Sequence, residues 1–502
     1  MAEAVIEERQ LLKTLRWYDG FVIALANPGF LLGSLGYSVG DLGGWGALLL
    51  WGIAAAIAVF LNTIYSEMAT MFPDKNGMPL YANEAWRKYS TLVGPIATFG
   101  YWIGWSVVLS VNGVFMGQIV QGAWFPDEPL GGTFDEGYFS TGGANIGLPQ
   151  LIAIGLIVAV WLFNVYGARV GVTFGYAAGV LLMVPLFVMM FMPFINGSWT
   201  SENMTFALND GLPWGGWQLA LVWLWLMSWS AWGVDTCATF APEYKDTVRD
   251  TKLALRSAAL FSLIVYTVLP LGFVGGGGAE AVASYDYVGA MNTILGTDSA
   301  ALTDFLVVCI LASFIITMNT ATADGGRALY GVARSGLSIK QLERLNRHHV
   351  PGFAMTVDMI VNILFVLFIG NIFGILAASN LGYVICHVFA LSGFILLRRD
   401  RPNWPRPIKL PGVWIPIAGI LCAYCILISV VGFGWFQNAA GGYGGTKEKV
   451  IAVAVLAVSV VLFFFRRIVQ DKEHPHWREE TPTEPAPGYF EEHGIEVPAR
   501  AK

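Results

Sequence analysis

One acid and two tryptophans of this 502-residue chain stand where they could do recognition chemistry. The run Trp229-Ser230-Ala231-Trp232-Gly233-Val234-Asp235 sets a carboxylate two residues past a glycine, deep inside an apolar stretch. An ionisable group is costly to bury in such surroundings, so by default it marks a functional site. Indole faces attract cations, so Trp229 and Trp232 offer ring faces and Asp235 a charge to a cationic head group. The bland alternatives are a structural carboxylate bonded to backbone or hydroxyls, and tryptophans that pack or form an interface belt.

A second stretch, Ala26-Asn27-Pro28-Gly29-Phe30, interrupts the first apolar run. Pro removes a donor and clashes with the preceding turn, Gly leaves the backbone unrestrained, and Asn is polar at membrane depth. Either this is a simple kink or the backbone opens to line a wet cavity. Gly29 and Gly233 are 204 residues apart. Two broken helices at matching positions of two repeats point to a binding site between them.

The elements that must hold these residues follow from composition. Hydrophobic residues make up 55% of the chain and charged ones 13%, against about 25% charged in soluble domains. The mean hydropathy is +0.58. Such a chain needs lipid as its solvent. Spanning helices need about 20 mostly apolar residues. Twelve such runs are expected, near 20–39, 45–71, 93–121, 149–166, 172–194, 216–240, 253–275, 300–332, 353–370, 373–397, 413–433 and 448–467. Residues 1–16 read as a polar segment without the features of a signal peptide, which leaves the first run a retained helix. Residues 471–502, Pro-rich and charged, read as a disordered tail. The five cysteines, including Cys422 and Cys425, sit in apolar runs and imply packing rather than a disulfide framework or zinc site.

Lys and Arg collect on alternate loops with both chain ends, at Lys75, Arg87, Arg249, Lys340 and Arg398 among others. The opposite loops hold only Lys447 and Lys449, and carry acids such as Glu202 and Asp286. By the positive-inside rule both termini are cytoplasmic.

Several stretches resemble the amino acid–polyamine–organocation (APC) transporters. They are Tyr65-Ser66-Glu67 through Pro73, Asn76-Gly77 through Ala85, Gly233-Val234-Asp235 with Pro242-Glu243-Tyr244, Asn319 through Gly336, and Asn346 through Pro351. The likeness covers about residues 17–467. It implies an all-α membrane protein of twelve transmembrane helices. Repeat one (about 17–195) and an inverted repeat two (about 216–397) would form a leucine-transporter-like 5+5 core, with two further helices at 413–467. It implies a substrate site between broken helices one and six, built from Ala26, Asn27, Pro28, Gly29, Phe30, Trp229, Ser230, Trp232, Gly233 and Asp235. Trp105 of helix three and Asn319 of helix eight would join it. The loop between Asn76 and Ala85 is expected to be a loop.

Three departures bear on substrate and coupling. Asn27-Pro28-Gly29 replaces the family's Gly-Ser-Gly-type run, so Pro28 removes an amide that would hold a substrate carboxylate. The helix-six motif is similar to that of the arginine/agmatine exchangers, in which the tryptophan gates and the acid responds to pH; Trp229 and Asp235 hold those positions. The helix-five lysine of proton-coupled members is absent, with Leu182 in its place. Ser313 and Thr317 stand one turn apart in helix eight; they match hydroxyls that bind sodium in sodium-coupled relatives, or they bond to their own backbone.

The expected function is secondary active transport, by uptake or exchange, of an amino acid or small organic amine across the plasma membrane. The expected partners are that solute and the lipid bilayer, with no cofactor and no nucleic acid; oligomeric state is left open. There is no nucleotide loop, zinc spacing or nucleophile–His pair to make an enzyme, and no repeated polar ring to line a channel. The alternatives are a sensor that uses the same fold, or a transporter of another small solute.

Overall fold

The computed structural model describes residues 11–132, 135–141, 144–207, 212–297, 299–368, 372–439 and 445–495. Residues 1–10 of the expected N-terminal segment and 496–502 of the expected tail lie outside the described residues.

The chain is almost wholly helical. It runs through α1 (Trp17–Ala24), α2 (Asn27–Met71), α3 (Met78–Trp86), α4 (Val93–Ser106), α5 (Val108–Trp124), α6 (Leu148–Val165), α7 (Ala168–Met190) and α8 (Met192–Asn196). There follow α9 (Gly216–Ala231), α10 (Thr236–Thr239), α11 (Thr247–Gly277), α12 (Ala279–Ala283), α13 (Tyr287–Leu295), α14 (Ala300–Arg334), α15 (Gly352–Phe368), α16 (Ile372–Asp400), α17 (Trp414–Ala439), α18 (Thr446–Phe465) and α19 (Tyr489–Glu492). One antiparallel hairpin, Phe139–Thr141 against Ala144–Ile146, decorates the connection between α5 and α6. Among the described residues, nine helical segments are long and apolar enough to cross a membrane. The chain is an integral, multi-pass membrane protein.

Burial sorts these helices. In Val93–Trp124, 78% of the most apolar window is buried inside the protein, against 17% in Thr446–Gln470, so α18 lies on the rim. Val180, Ile420 and Val461 are more than 60% exposed. Large apolar side chains displayed this way are stable against lipid, whereas in water such a patch would drive association. The interior is built from α2 against α11 and α9, α14 against α4, α5 and α7, and α16 against α4 and α17.

The first two runs part at Gly43, whose φ of 70° lies in the left-handed region, between the expected 20–39 and 45–71; two other boundaries differ from the sequence reading. Glycine adopts that conformation without steric cost, and the Thr205 carbonyl clamps the bend by accepting from the Trp45 N–H at 2.9 Å. The expected loop over Asn76–Ala85 is largely the helix α3; Pro79 in its first turn is pre-set for helical φ and gives up only an N–H that is unpaired there anyway. The tail, expected to be disordered, is docked as far as Ile495. The Thr91 N–H donates to the Trp477 carbonyl at 3.0 Å, Tyr489 donates to Asp74, and Phe490 and Ile495 are buried. Composition indicated solvation; a few apolar and aromatic anchors hold the tail down instead.

Both described chain ends meet on one face. Lys13 Nζ donates to the His493 carbonyl at 2.7 Å, and Leu15 pairs with the segment after α10 through Leu15 N–H to Glu243 O (3.0 Å) and Lys245 N–H to Leu15 O (2.8 Å). All five cysteines are free.

Candidate functional site

The first interruption falls at Leu25–Ala26, between α1 and α2. Pro28 stands in the first turn of α2, where its missing N–H costs nothing. The backbone oxygens around the break are taken up by hydroxyls. Thr320 donates to Ile23 O at 2.9 Å, and Thr317, also 2.8 Å from Ser313 O, to Ala26 O at 3.0 Å. Gly29 is needed for this fit, because a Cβ there would drive into the Thr317 hydroxyl and come within 3.0 Å of the Ser313 carbonyl. Ser313 itself donates to Ile310 O at 2.6 Å. Both candidate sodium hydroxyls thus donate to backbone carbonyls, Ser313 within its own helix and Thr317 also across to the first break.

The second interruption follows α9. Gly233–Asp235 tightens into a 3₁₀ turn before α10. The two breaks touch: a Cβ on Gly233 would lie 3.0 Å from Asn27 Oδ1 and 3.1 Å from the Phe30 ring, so this glycine permits the close approach. They are also tied together. Tyr266 of α11 places its hydroxyl 3.0 Å from both Asn27 O and Ser230 O, and 2.7 Å from the Ser230 hydroxyl. Asn27 Nδ2 donates to Ser262 at 2.8 Å.

Asp235 is buried. Its Oδ2 accepts from the Tyr383 hydroxyl at 2.9 Å and lies 3.5 Å from His387 Nε2, while Oδ1 has no hydrogen-bond partner among the described residues. The indole N–H of Trp105 approaches that same carboxylate as a donor, though neither Trp105 Nε1 nor Asp235 Oδ1 completes a hydrogen bond of normal geometry among the described residues. A buried donor and a buried acceptor left open cost roughly 1–3 kcal/mol each, so a ligand that satisfies them gains correspondingly.

Phe30, Gly104, Trp105, Val108, Trp229 and Tyr383, the last bonded to Asp235, line a cleft too tight to admit a water-sized sphere. Phe30 closes it from the first break, edge-on to Trp105 (centroids 5.4 Å) and to Trp229 (5.2 Å). Trp229 is pinned by its indole N–H to Gly104 O at 2.7 Å. Opening the site means parting these rings, each edge-to-face pair being worth roughly 0.5–1.5 kcal/mol beyond its burial.

Two expected residues turn elsewhere. Trp232 donates to Ala54 O at 3.1 Å and packs on His387, so it backs the Asp235 cluster rather than lining the cleft. Asn319 bonds Asn164 of α6 (2.9 Å) and Gly171 O of α7 (3.1 Å). A residue's face is set by the register across each break, which the sequence leaves undetermined. Conversely, Tyr266, Tyr383, Tyr101 and the buried acids Asp324 and Asp358 escaped the sequence reading. The acids carried the same signal as Asp235, an ionisable group inside an apolar run; Asp324 lay within a stretch read only for its family likeness. His387 Nδ1 and the Tyr65 hydroxyl share a hydrogen bond at 2.6 Å. Glu67 is enclosed by Arg398, Arg406 (3.1 Å) and the Leu410 N–H (2.8 Å), a structural ion cluster.

Residues 18–464 match the family model described as amino acid permease. The chain is also similar to three Bacillus subtilis (strain 168) proteins, each 22% identical. For Amino-acid permease RocE the match covers 70% of this chain and 72% of the relative. For the Glutamate/serine transporter AimA it covers 78% and 71%. For the Gamma-aminobutyric acid permease it covers 64% and 63%. These are transporters, not enzymes. With a family match across nearly the whole helical bundle, the chain belongs to the amino acid permease family of APC transporters.

Proposed function

We propose that this permease is a secondary active transporter, by uptake or exchange, of an amino acid or small organic amine whose amino group is read by Asp235. The observation that carries this reading is the buried Asp235 carboxylate, bonded to Tyr383, beside a tight aromatic cleft walled by Phe30, Trp105 and Trp229. The carboxylate supplies charge and the ring faces supply cation–π attraction. The helix-six likeness to arginine/agmatine-type exchangers favours the same cationic group, and so does Pro28, which withholds an amide from a substrate carboxylate. The relatives' own names span glutamate, serine, γ-aminobutyrate and lysine, so membership alone does not choose among them.

The proposed architecture is twelve spans in two inverted five-helix repeats, 17–195 and 216–397, followed by α17 and α18. Nine long segments become twelve when the helix bent at Gly43 counts as two, α9 and α10 as one broken span, and the 17-residue α15 as a short one. The meeting of both chain ends on one face agrees with an even number. That face carries the excess of Lys and Arg and is assigned to the cytoplasm of the cell. If a Lys340→Cys variant in intact cells is readily labelled from outside, this orientation is wrong.

The deciding experiment is a competition panel in proteoliposomes, with lysine, agmatine, γ-aminobutyrate, serine and glutamate set against counterflow of each labelled compound. Saturable flux that prefers the cationic members supports the reading. Flux confined to glutamate would overturn the role given to Asp235. Binding without flux would identify a sensor.

A further inference from the structure

One buried acid is unused by the proposed substrate site. Asp324 of α14 accepts from the Thr236 hydroxyl at 2.9 Å and from the Tyr101 hydroxyl at 3.2 Å, both on Oδ1. Its Oδ2 is buried and has no hydrogen-bond partner among the described residues. Thr236 follows Asp235 in the broken helix, so Asp324 is joined to the element that carries the substrate-site acid. The Tyr101 ring lies 6.1 Å from the Tyr383 ring, and the two tyrosine hydroxyls bond one acid each.

The charges facing this pair leave a deficit. Arg327 stands one turn along α14 but is committed to Glu243, with Nη2 to Oε2 at 3.0 Å, under the Phe240 ring. That ion pair adds no net charge. His387 faces Asp235 from α16, and the Cys237 thiol next along α10 is spent on Gly20 O at 3.4 Å. Arg327 is also within charge reach of Asp324 but is shared with Glu243, so three carboxylates face one guanidinium in the membrane interior, a state costly enough that one proton or one cation is expected there.

We propose that Asp324 is the proton-carrying carboxylate of this permease: Oδ2 holds a proton while the site is empty, and releases it when the substrate's ammonium group arrives at Asp235. One O–H bond breaks, the proton leaves to the solvent on the open face, and the substrate's charge replaces it, so proton and substrate travel alternately. The coupling rests on the transport reading above; proton binding at Asp324 does not. Asp358 is the nearest rival. Its Oδ2 is also open among the described residues, but Asp358 bonds Trp102 of α4 at 2.8 Å from α15 and touches neither break.

The test uses protons alone as the probe. Infrared difference spectra of the purified full-length protein, stepped in pH, read the carbonyl stretch of neutral carboxylic acids. A titrating band should be lost in Asp324→Asn, kept in Asp358→Asn, and kept but displaced in frequency in Asp324→Glu. Asn still offers an oxygen to Thr236 and Tyr101, so the fold should hold. A spectrum that loses no titrating band in Asp324→Asn, or loses one only in Asp358→Asn or Asp235→Asn, overturns the proposal. Should Asp324→Asn fail to fold, an Asp324→Glu band at the wild-type frequency overturns it equally. In liposomes, lysine accumulation driven by a pH gradient should be lost in Asp324→Asn while lysine–lysine exchange is retained. Absence of any lysine flux in the wild type would count against the transport reading and leave the infrared result standing.

Discussion

The Tyr266 hydroxyl lies 3.0 Å from the backbone oxygen of Asn27 and so bolts the first helix break to α11. The same oxygen reaches Ser230 at the approach to the second break. A single proton serves one carbonyl, and the Ser230 hydroxyl can donate back to Tyr266, so the two broken helices share one latch.

Tyr266→Phe removes that latch and leaves a buried carbonyl short of a donor, at a cost of about 1–3 kcal/mol. We expect a lower midpoint of thermal unfolding in detergent and a larger loss in exchange rate than in binding. Ser230→Ala, which keeps the Tyr266-to-Asn27 bond, should be milder in both. Equal effects from the two variants would show that Tyr266 is packing rather than latch.

Gly29→Ala adds one methyl group where the Thr317 hydroxyl and the Ser313 carbonyl already stand. Overpacking of this kind costs roughly 1–3 kcal/mol, and because the contact lies at the break, flux should fall further than folded yield. Thr317→Ala in the same chain clears the hydroxyl and should recover part of the loss. The 3.0 Å approach to the Ser313 backbone would remain, so full recovery would contradict the assigned geometry.

The parts legible in the sequence were those written in composition and in local breaks. Lipid-scale apolar runs do not depend on partners, and Pro28, Gly29 and Gly233 mark interruptions wherever they are placed. What escaped was set by distant packing. Tyr266 and Tyr383 are ordinary residues of apolar runs until α11 and α16 bring their hydroxyls to the breaks. Trp232 and Asn319 sit at the expected positions along the chain but point to Ala54 and Asn164. The docked tail was hidden for the same reason: Phe490 and Tyr489 are two aromatics in a polar stretch, and only the surface beneath makes anchors of them.

Tail docking should depend on acid pH through Asp74. Burial pushes the Asp74 carboxyl up, but Lys75 at 2.9 Å and the Tyr489 hydroxyl more than offset this, leaving it below its ordinary value. A carboxyl lowered in the folded state contributes stability above its unfolded value of about 3.9, and that contribution is lost as pH falls through the folded value. Docking is therefore expected to be flat from neutral pH to about 4 and to weaken below. Tyr489→Phe should raise hydrogen exchange of the 489–495 amides about fivefold at neutral pH, for a bond of about 1 kcal/mol. A tail whose exchange, corrected for intrinsic rates, ignores both changes is held by its other anchors, Phe490, Ile495 and the Lys13 bond to His493 O, and not by Asp74.

Asp235 should be where proton and cationic substrate compete. Its open Oδ1 is an acceptor that either a proton or an ammonium group completes, and occupation by one excludes the other. Binding of a cationic substrate should therefore weaken as pH falls. Asp235→Asn keeps the size and leaves Tyr383 an acceptor while removing the charge. It should flatten the pH profile and weaken lysine more than serine. The structural alternative, a carboxylate kept only to hold Tyr383 and His387, expects poor insertion or yield, with any remaining activity on the original profile. Expression level and flux against pH, taken on the same preparation, separate the two. A well-folded Asp235→Asn protein with the wild-type pH dependence would remove Asp235 from the mechanism and leave Asp324 to account for any proton coupling.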